Sequence, residues 1–483
     1  MNNNNLSFSK KDVKNYPHFD APISLNNIEA LVTDRRRVAE NSFYPFLLYY
    51  ETWQPYRTKI AEGDKPNKKT RPIRYAARRD AYILAYYRRE LSDRYEKKLE
   101  TMGLSDCPIA YRKIQNEWGQ GKCNIDFAKE AFDAIDTMGN CVAIALDIQS
   151  YFESLDHRKI KSLWCELLGV SSLPPDHYAI FKYITKYHYC DQKEVYRRLG
   201  YITKNEQGQE EYKVSYRDMP KQICSPDDFR RKICGRDSQY PSLIQKNWKN
   251  YGIPQGSPIS DLIANFYLIH FDKAMSELAN QVSGIYMRYS DDILFLAPNE
   301  PDKIEEILDF TRKEITKHGD QLKIKDKKTC VVEFKQCSTG LTYKHKKGPH
   351  GARGFEYLGF RYDGKNVYIR EATISRLYRK VSIAAKREAK RQLVLQPTAD
   401  PKTILGKIDF HLLYERFTKV RRTKLTSDYR TWTFYTYAKR ARSIFGQKGK
   451  RIIPQISNMK KIMHDRTERA INKGLQKRKE PTG

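Results

Sequence analysis

A chain of 483 residues, 40% of them hydrophobic, is long enough for two or three domain-sized units and a substantial core, while a mean hydropathy of -0.76 points to a heavily charged surface. No run of about 18 apolar residues occurs, which excludes a membrane-spanning helix. Met1-Asn2-Asn3-Asn4-Asn5 lacks the apolar centre of a secretion signal, so a cytoplasmic location is expected. Lys+Arg 89 against Asp+Glu 58 leaves a net charge of +31, far beyond what solubility requires. With 34 tyrosines and 20 phenylalanines, that surface suits a polyanion whose bases can stack. The charge is uneven: Glu371 to Gly483 holds 29 Lys+Arg against 9 Asp+Glu, or +20. The many aromatic and aliphatic residues there argue against a merely solvated tail. The nine cysteines are scattered and form no Cys-x-x-Cys pair. His188, Cys190, Cys224 and Cys234 could gather around zinc, but their spacing fits no compact knuckle, so reduced thiols are the expectation.

In chain order, Leu25 to Tyr56 reads as largely helical, with a break or kink at Pro45. Residues 61–69 form a polar loop by their Gly, Pro and Asn content. Thr70 to Asp80 is a short extended piece loaded with arginine, leading into a helix through Leu84, Tyr87, Leu91 and Tyr95. Arg71, Arg74, Arg78 and Arg79 offer forked donors for a triphosphate, or equally a general nucleic-acid surface. Cys141 to Ile148 is a near-continuous apolar run that reads as a buried strand with Asp147 at its C-terminal end. A turn and a helix through Ile160, Leu163 and Leu167 follow, with Phe152 where the chain leaves the sheet. The segment from about 171 to 250 is polar, tyrosine-rich and long for a connection. Gly252 to Pro258 is a turn opening a long helix through Leu278, with Ser257 and Pro258 as N-cap and first helical residue. Its glycines and helix N-terminus suit an anionic ligand, although such turns are common.

Ile285 to Leu296 holds two strand-like runs around Ser290-Asp291-Asp292, the pattern of a β-hairpin with its charges at the turn. Alone, it is equally a solvated turn. A helix from Ile304 to His318, a strand around Leu322 to Ile324, and a hairpin at Phe355 to Tyr362 complete this part. From Glu371 onward the pattern is helical and basic. If the strand ending at Asp147 adjoins the Asp291-Asp292 hairpin, about 140 residues later, three carboxylates meet at one sheet edge. Such a cluster repels itself and calls for a hard divalent counter-ion. It can hold two Mg²⁺ ions about 4 Å apart, the geometry of two-metal nucleotidyl transfer.

Asp147 with Phe152, Pro254-Gln255-Gly256, Tyr289-Ser290-Asp291-Asp292, Lys328-Thr329 and Tyr357-Leu358-Gly359 occur in the order seen in reverse transcriptases. The chain resembles a bacterial reverse transcriptase of the broad group holding group II intron, retron and abortive-infection or phage-defence enzymes, over roughly Lys69 to Tyr362. The resemblance implies an α+β right-hand polymerase of fingers, antiparallel-sheet palm and helical thumb. It divides the chain into N-terminal helices and fingers (1–140), palm (141–366, with an insertion at about 171–250) and a basic helical thumb (367–483). Asp147, Asp291 and Asp292 would be the catalytic carboxylates, holding two Mg²⁺ ions, or Mn²⁺ as a substitute, together with Ile148. Arg71, Arg78, Phe152, Gln255 and Gly256 would meet the incoming nucleotide, Phe152 as the gate against a ribose 2′-hydroxyl. Lys328 would stand near the leaving phosphates as a proton donor. Tyr289, Tyr357, Leu358 and Gly359 would grip primer and template. The implied partners are an RNA template, a DNA primer or product and dNTPs, with room for a homo-oligomer or a partner protein and none for a membrane.

Departures narrow the group. Group II intron enzymes usually carry Ser-Pro a few residues after the Gln-Gly turn, whereas here Ser260 precedes Asp261. The C-terminal region lacks the Val-Thr-Gly expected of retron enzymes, and no His-Asn-rich or Cys-paired endonuclease module follows it. By elimination the chain looks most like the defence-associated group, which implies a dedicated non-coding RNA template and antiphage DNA synthesis. An RNA-dependent RNA polymerase shares the palm and paired aspartates, but Phe152 argues against it. A catalytically silent nucleic-acid scaffold is the alternative outside enzymes. Priming from a tyrosine hydroxyl would draw on Tyr378, Tyr414, Tyr429, Tyr435 or Tyr437, with nothing to single one out against core or stacking roles.

Overall fold

In the computed structural model, which describes residues 8–53, 69–348, 353–417 and 433–479, the apolar run ending at Asp147 is the middle strand of a five-stranded sheet. The strands in chain order are β1 (Phe46–Trp53), β2 (Lys69–Tyr75), β3 (Cys141–Asp147), β4 (His188–Asp191), β5 (Ile202–Lys204), β6 (Glu210–Tyr212) and β7 (Gln245–Lys246). They continue with β8 (Ile285–Tyr289), β9 (Asp292–Pro298), β10 (Cys330–Cys337), β11 (Gly340–Lys347), β12 (Phe355–Tyr357), β13 (Phe360–Tyr362) and β14 (Val367–Ile369). The central sheet runs β11-β10-β3-β9-β8, antiparallel throughout.

Its β3 residues are apolar on both faces because both faces are covered. Val142, Ile144 and Leu146 face a core shared with the Arg78–Met102, Ser260–Tyr267, Ile269–Gln281 and Pro301–Thr316 helices. Cys141 and Ala143 face a second core under the Asn124–Met138 helix, the small β12-β13-β14 sheet and the C-terminal helices. In that C-terminal region the Glu371–Leu395 and Met459–Lys479 helices pack on one another through Ala389, Leu393 and Ile471. The architecture is α+β: a five-stranded antiparallel sheet, a mixed four-stranded sheet and a C-terminal helical region.

The segment at 171–250 joins the N-terminal strands rather than standing apart. β4 pairs parallel with β1 and antiparallel with β7, giving a four-stranded sheet of order β2-β1-β4-β7. Its core gathers Cys190, Val195 and Ile233 with Phe19 and Leu47 from the chain's beginning.

Several local expectations are corrected. Leu25 to Tyr56 is not largely helical: two short helices (Leu25–Thr33 and Arg35–Ala39) end before Pro45, and Phe46 onward is strand β1. The second helix ends at Ala39 with Glu40 as its C-cap, before Pro45 is reached, and the aromatic-rich residues after the proline pair with β2. The long helix expected after Pro258 is two, Ser260–Tyr267 and Ile269–Gln281. At the break the Asn265 carbonyl accepts both the Leu268 amide, which closes the first helix, and the Arg288 guanidinium at 3.0 Å. Ser257 is not the N-cap; Ser260 instead begins the helix and bonds back to the Pro254 carbonyl at 2.8 Å. Leu322 to Ile324 contributes a single bridge, Ile148 to Ile324, rather than a strand. The polar loop at 61–68 and Tyr429 lie outside the described residues.

Arg288, in the middle of β8, is wholly buried against an equally buried Asp272. Both carboxylate oxygens are engaged at 2.6 Å, and the Tyr286 hydroxyl adds a bond at 2.7 Å. Removing one partner leaves a buried charge unpaired, which costs about 3–5 kcal/mol. Asp272→Asn is therefore expected to lower unfolding free energy by several kcal/mol in denaturant titration, and replacing both residues by apolar ones to recover part of the loss.

Candidate active site

The acidic cluster is set by strand register. β3 and β9 pair so that Asp147 lies directly across from Asp292, a separation of about 4.5–5.5 Å between Cα atoms. Asp291 sits in the two-residue turn between β8 and β9. Its carbonyl accepts the Ile148 amide at 3.0 Å, so the two acid-bearing segments are fastened to each other just past the strand ends. Ser290 opens the turn with φ +60°, a left-handed conformation that non-glycine residues adopt at a cost. Its carbonyl is held by Arg288 at 3.1 Å, which fixes the turn from beneath.

The electrostatics follow from crowding like charges. Asp292 is pushed up to about 7, first by desolvation among the surrounding chain and then by Asp291 and Asp147. Its side chain keeps solvent contact, so the desolvation comes from the walls of a cleft and not from a closed interior. Asp291 is raised by the same causes, desolvation first, partly relieved by Lys328 and Arg71. Lys328, expected near the leaving phosphates, has its ammonium on Asp147 at 2.5 Å, in the position a counter-ion would take. Among the described residues no three acidic, histidine or cysteine side chains are drawn close enough to hold an ion as they stand. The donor set nonetheless fits a hard divalent cation: three carboxylates on adjoining strand ends, like-charge repulsion that Lys328 and Arg71 relieve only in part, and one oxygen already bound to a cation.

Around this floor the walls come from other elements. Gly252 (φ +87°) and Gly256 (φ +107°) bring the 252–258 turn against its neighbours. A Cβ on Gly252 would lie 3.1 Å from the Glu153 carbonyl, and one on Gly256 would lie 2.8 Å from the Ile73 side chain. The Gln255 carbonyl accepts the Arg74 amide at 2.8 Å, and the Phe152 carbonyl accepts the Ile253 amide at 2.8 Å. Phe152, Gln255 and β2 therefore border one cleft, Phe152 half-buried at its edge. Arg71 is exposed on β2, stacked on Trp53 at 5.6 Å. It shares a strand face with Lys69, whose pKa is lowered by desolvation and then by Lys328 and Lys325.

Other expectations are redirected. Arg78 does not reach a nucleotide: it is 1% exposed, paired with Asp20 and bonded to the Tyr16 and Asp20 carbonyls. It pins the N-terminal segment to the fold. Arg74 is buried in an ion pair with Glu153 at 2.7 Å, beneath Tyr187 and Tyr189. The Tyr357 ring is buried in the core between palm and thumb, its pKa raised by desolvation and by Asp292. What its hairpin presents is the Leu358-Gly359 turn, both residues at positive φ (+42° and +92°). Asn124 donates to the Leu358 carbonyl at 3.0 Å and to the Tyr437 hydroxyl at 3.1 Å, linking this turn to the thumb. Tyr289 is half-buried, with Tyr111 6.3 Å away ring to ring.

Sequence reasoning passed over Arg288, Asp272, Lys69, Asn124 and Arg370, whose amide bonds the Gly359 carbonyl at 3.0 Å. Arg288 had a readable signal, a charged residue at a core-facing position of an alternating strand; the others had none. Asp261, the departure from the intron pattern, forms a two-pronged pair with Arg88 (2.7 Å and 3.0 Å).

Gly256→Ala forces both an unfavourable φ and a clash with β2. It is expected to cost about 1–3 kcal/mol and to lower activity more than Gly103→Ala, where a Cβ meets nothing within 4 Å; melting temperature and turnover of both variants check this.

Residues 239–362 match the family described as reverse transcriptase (RNA-dependent DNA polymerase). The match takes in the 252–258 turn, Asp291, Asp292, Lys328 and the Tyr357–Gly359 hairpin; Asp147 joins them through the sheet register. No curated protein sequence matches the chain. Among solved structures, apo telomerase from Candida tropicalis is 12% identical over 96% of this chain and 70% of its own, with a TM-score of 0.36. Telomerase from Candida albicans in complex with a telomeric RNA fragment is 11% identical over 92% and 63%, with a TM-score of 0.35. The chain spans 63% of the C-terminally truncated Candida tropicalis telomerase, at 10% identity and a TM-score of 0.34. Residues 239–362, with the Asp291-Asp292 turn at their centre, thus match a reverse transcriptase domain.

Proposed function

We propose that the chain extends DNA on an RNA template, with Asp147, Asp291 and Asp292 as its catalytic carboxylates. The observation that carries this reading is the register that sets Asp147 opposite Asp292 with Asp291 in the adjoining turn. Two Mg²⁺ ions, or Mn²⁺, held by these carboxylates with Ile148, would supply activation of the primer hydroxyl and neutralisation of the leaving phosphates. The residues do the rest. Arg71 and Lys69 reach over the cleft from β2 to meet the triphosphate. Lys328, once released from Asp147, is free to give its proton to the departing pyrophosphate. Phe152 closes the sugar side against a 2′-hydroxyl, while Gln255 and Gly256 line the base pair. Leu358 and Gly359, with Tyr289, hold the primer end.

The finer proposal is that the template is a dedicated non-coding RNA and that the DNA made serves antiphage defence in the cytoplasm. Its support is the ordered motif set together with the departures from intron and retron patterns. A protein partner or a second copy of the chain fits the same reading. No helix among the described residues is long and apolar enough to cross a membrane.

Asp291→Asn and Asp292→Asn are each expected to slow dNTP incorporation about a thousandfold, roughly 4 kcal/mol of transition-state stabilisation, with primer-template affinity retained. Cellular activity surviving both changes would favour the scaffold reading. Phe152→Ala should reduce the preference for deoxy- over ribonucleotides by about 10- to 100-fold, the scale of one steric contact; single-nucleotide extension with each type measures it. Sequencing the RNA and DNA that co-purify with the wild-type protein tests the template, and random cellular RNA in place of one species would end the dedicated-template proposal.

A further inference from the structure

The 171–250 segment carries a surface that the polymerase site does not use. Beside the Pro175–Thr185 helix and the β4–β7 edge of the mixed sheet lies an open groove lined by Tyr178, Lys182, Lys186, His188 and Lys246, with no carboxylate among its lining residues. Trp248, two residues beyond, is 79% exposed and Tyr178 is 45% exposed. The exposed ring leaves a flat apolar face open to a stacking partner. Nor is it a loose tip: the buried Asn247 side chain donates to the Thr185 and Tyr251 carbonyls at 3.0 and 3.2 Å, pinning the turn that presents Trp248. Lys246 lies over the Trp248 ring at 4.5 Å, Lys249 over Tyr251 at 5.1 Å and Lys161 over Tyr178 at 5.5 Å. Among the described residues none of Lys161, Lys182, Lys186, Lys246 and Lys249 is paired with a carboxylate, although the protein forms many such pairs elsewhere.

Exposed rings alternating with ammonium groups that meet no carboxylate match a single strand of nucleic acid, whose bases stack while its phosphates pair; of these lysines Lys186 is partly engaged, by the Lys249 carbonyl and Asn250. A duplex would offer the phosphates but hide the bases. The position is informative: β7 and β2 are the two edges of one four-stranded sheet, roughly 14 Å apart at about 4.8 Å per strand step. β2 carries Lys69 and Arg71 over the acidic turn, so a strand crossing this sheet leads from the site to the platform. Tyr44, also in the groove, adds a hydroxyl that can meet a ribose 2′-hydroxyl, whereas the Asn41 amide is turned to the buried Asp80.

We infer that Trp248, Tyr178 and the surrounding lysines form a docking platform for single-stranded RNA, separate from the catalytic carboxylates. That the strand is RNA rests on the proposed function; that a single strand binds there does not. The test uses the full-length protein and a fluorescein-labelled 12-nucleotide unstructured RNA, with the same sequence as DNA and as a blunt RNA duplex, followed by anisotropy at several salt concentrations. Trp248→Ala and Tyr178→Ala should each weaken single-stranded RNA binding about 5- to 150-fold, the range for one lost stacking contact, while Trp248→Phe retains most of it. Lys182→Glu with Lys246→Glu should flatten the salt dependence by about 0.7 per lost phosphate contact. Unchanged affinity in Trp248→Ala and in the double charge reversal would overturn the platform, as would equal losses on the duplex. DNA bound as tightly as RNA would overturn the RNA assignment. Binding is measured without nucleotides and repeated in Asp291→Asn, so failure of the platform and failure of the polymerase reading are read separately.

Discussion

The buried pair of Arg288 and Asp272 is the interaction on which the acidic turn depends. One guanidinium holds the Asp272 carboxylate, the Ser290 carbonyl and the Asn265 carbonyl at 2.6 to 3.1 Å. It thereby holds the left-handed turn that presents Asp291 and ties it to the end of the helix behind it. The Arg288 backbone is engaged as well, bonding the Cys107 and Ile109 segment on the outer edge of the sheet. A charge in that position is tolerable because each of its three nitrogens is bonded; the desolvation cost of an unmatched guanidinium would exceed any gain from the pairing. The turn above it is rigid for the same reason. Two carboxylates that repel each other need a platform that cannot relax away from them.

A second constraint joins the upper sheet to this floor. The 252–258 turn lies so close to β2 and to the 151–153 turn that only glycine fits at positions 252 and 256. Backbone bonds from Arg74 and Ile253 then tie three separate stretches of chain into one wall. The Arg74–Glu153 ion pair stands behind that wall, shielded by Tyr187 and Tyr189. Residues of the long intervening segment thus support the site from outside, which accounts for part of its length. On the opposite side, Asn124 couples the Leu358 turn to Tyr437 on the Phe434–Phe445 helix.

Much of this was legible in the residues. The run at 141–147 announced a strand covered on both faces, because apolar residues at every position have no solvent side to serve. Asp291 and Asp292 between two strand-like runs announced a hairpin, and the hairpin at Phe355 to Tyr362 was equally plain, though β14 adds a third strand. The arginines of 71–79 were read as one group, and there pattern failed. Arg71 points to the cleft, whereas Arg74 and Arg78 are consumed by Glu153 and Asp20. Both partners lie more than fifty residues away, and no local spacing foretells them. Tyr357 misled for a related reason, since its motif marks a hairpin but not which way the ring faces.

The sequence by itself determined the kinds of chemistry present: a basic, aromatic-rich chain, three carboxylates at predicted strand ends, glycine turns and the order in which they come. Those are properties of composition and short-range periodicity, which the chain carries whether folded or not. Only the tertiary structure decided which charges remain free. Burial and pairing assign Arg78 to the scaffold, place Lys328 on Asp147, and leave Trp248 and its lysines uncovered. Each of these outcomes depends on a partner distant in the chain, and Coulomb and desolvation energies act on separation in space, not on separation in sequence.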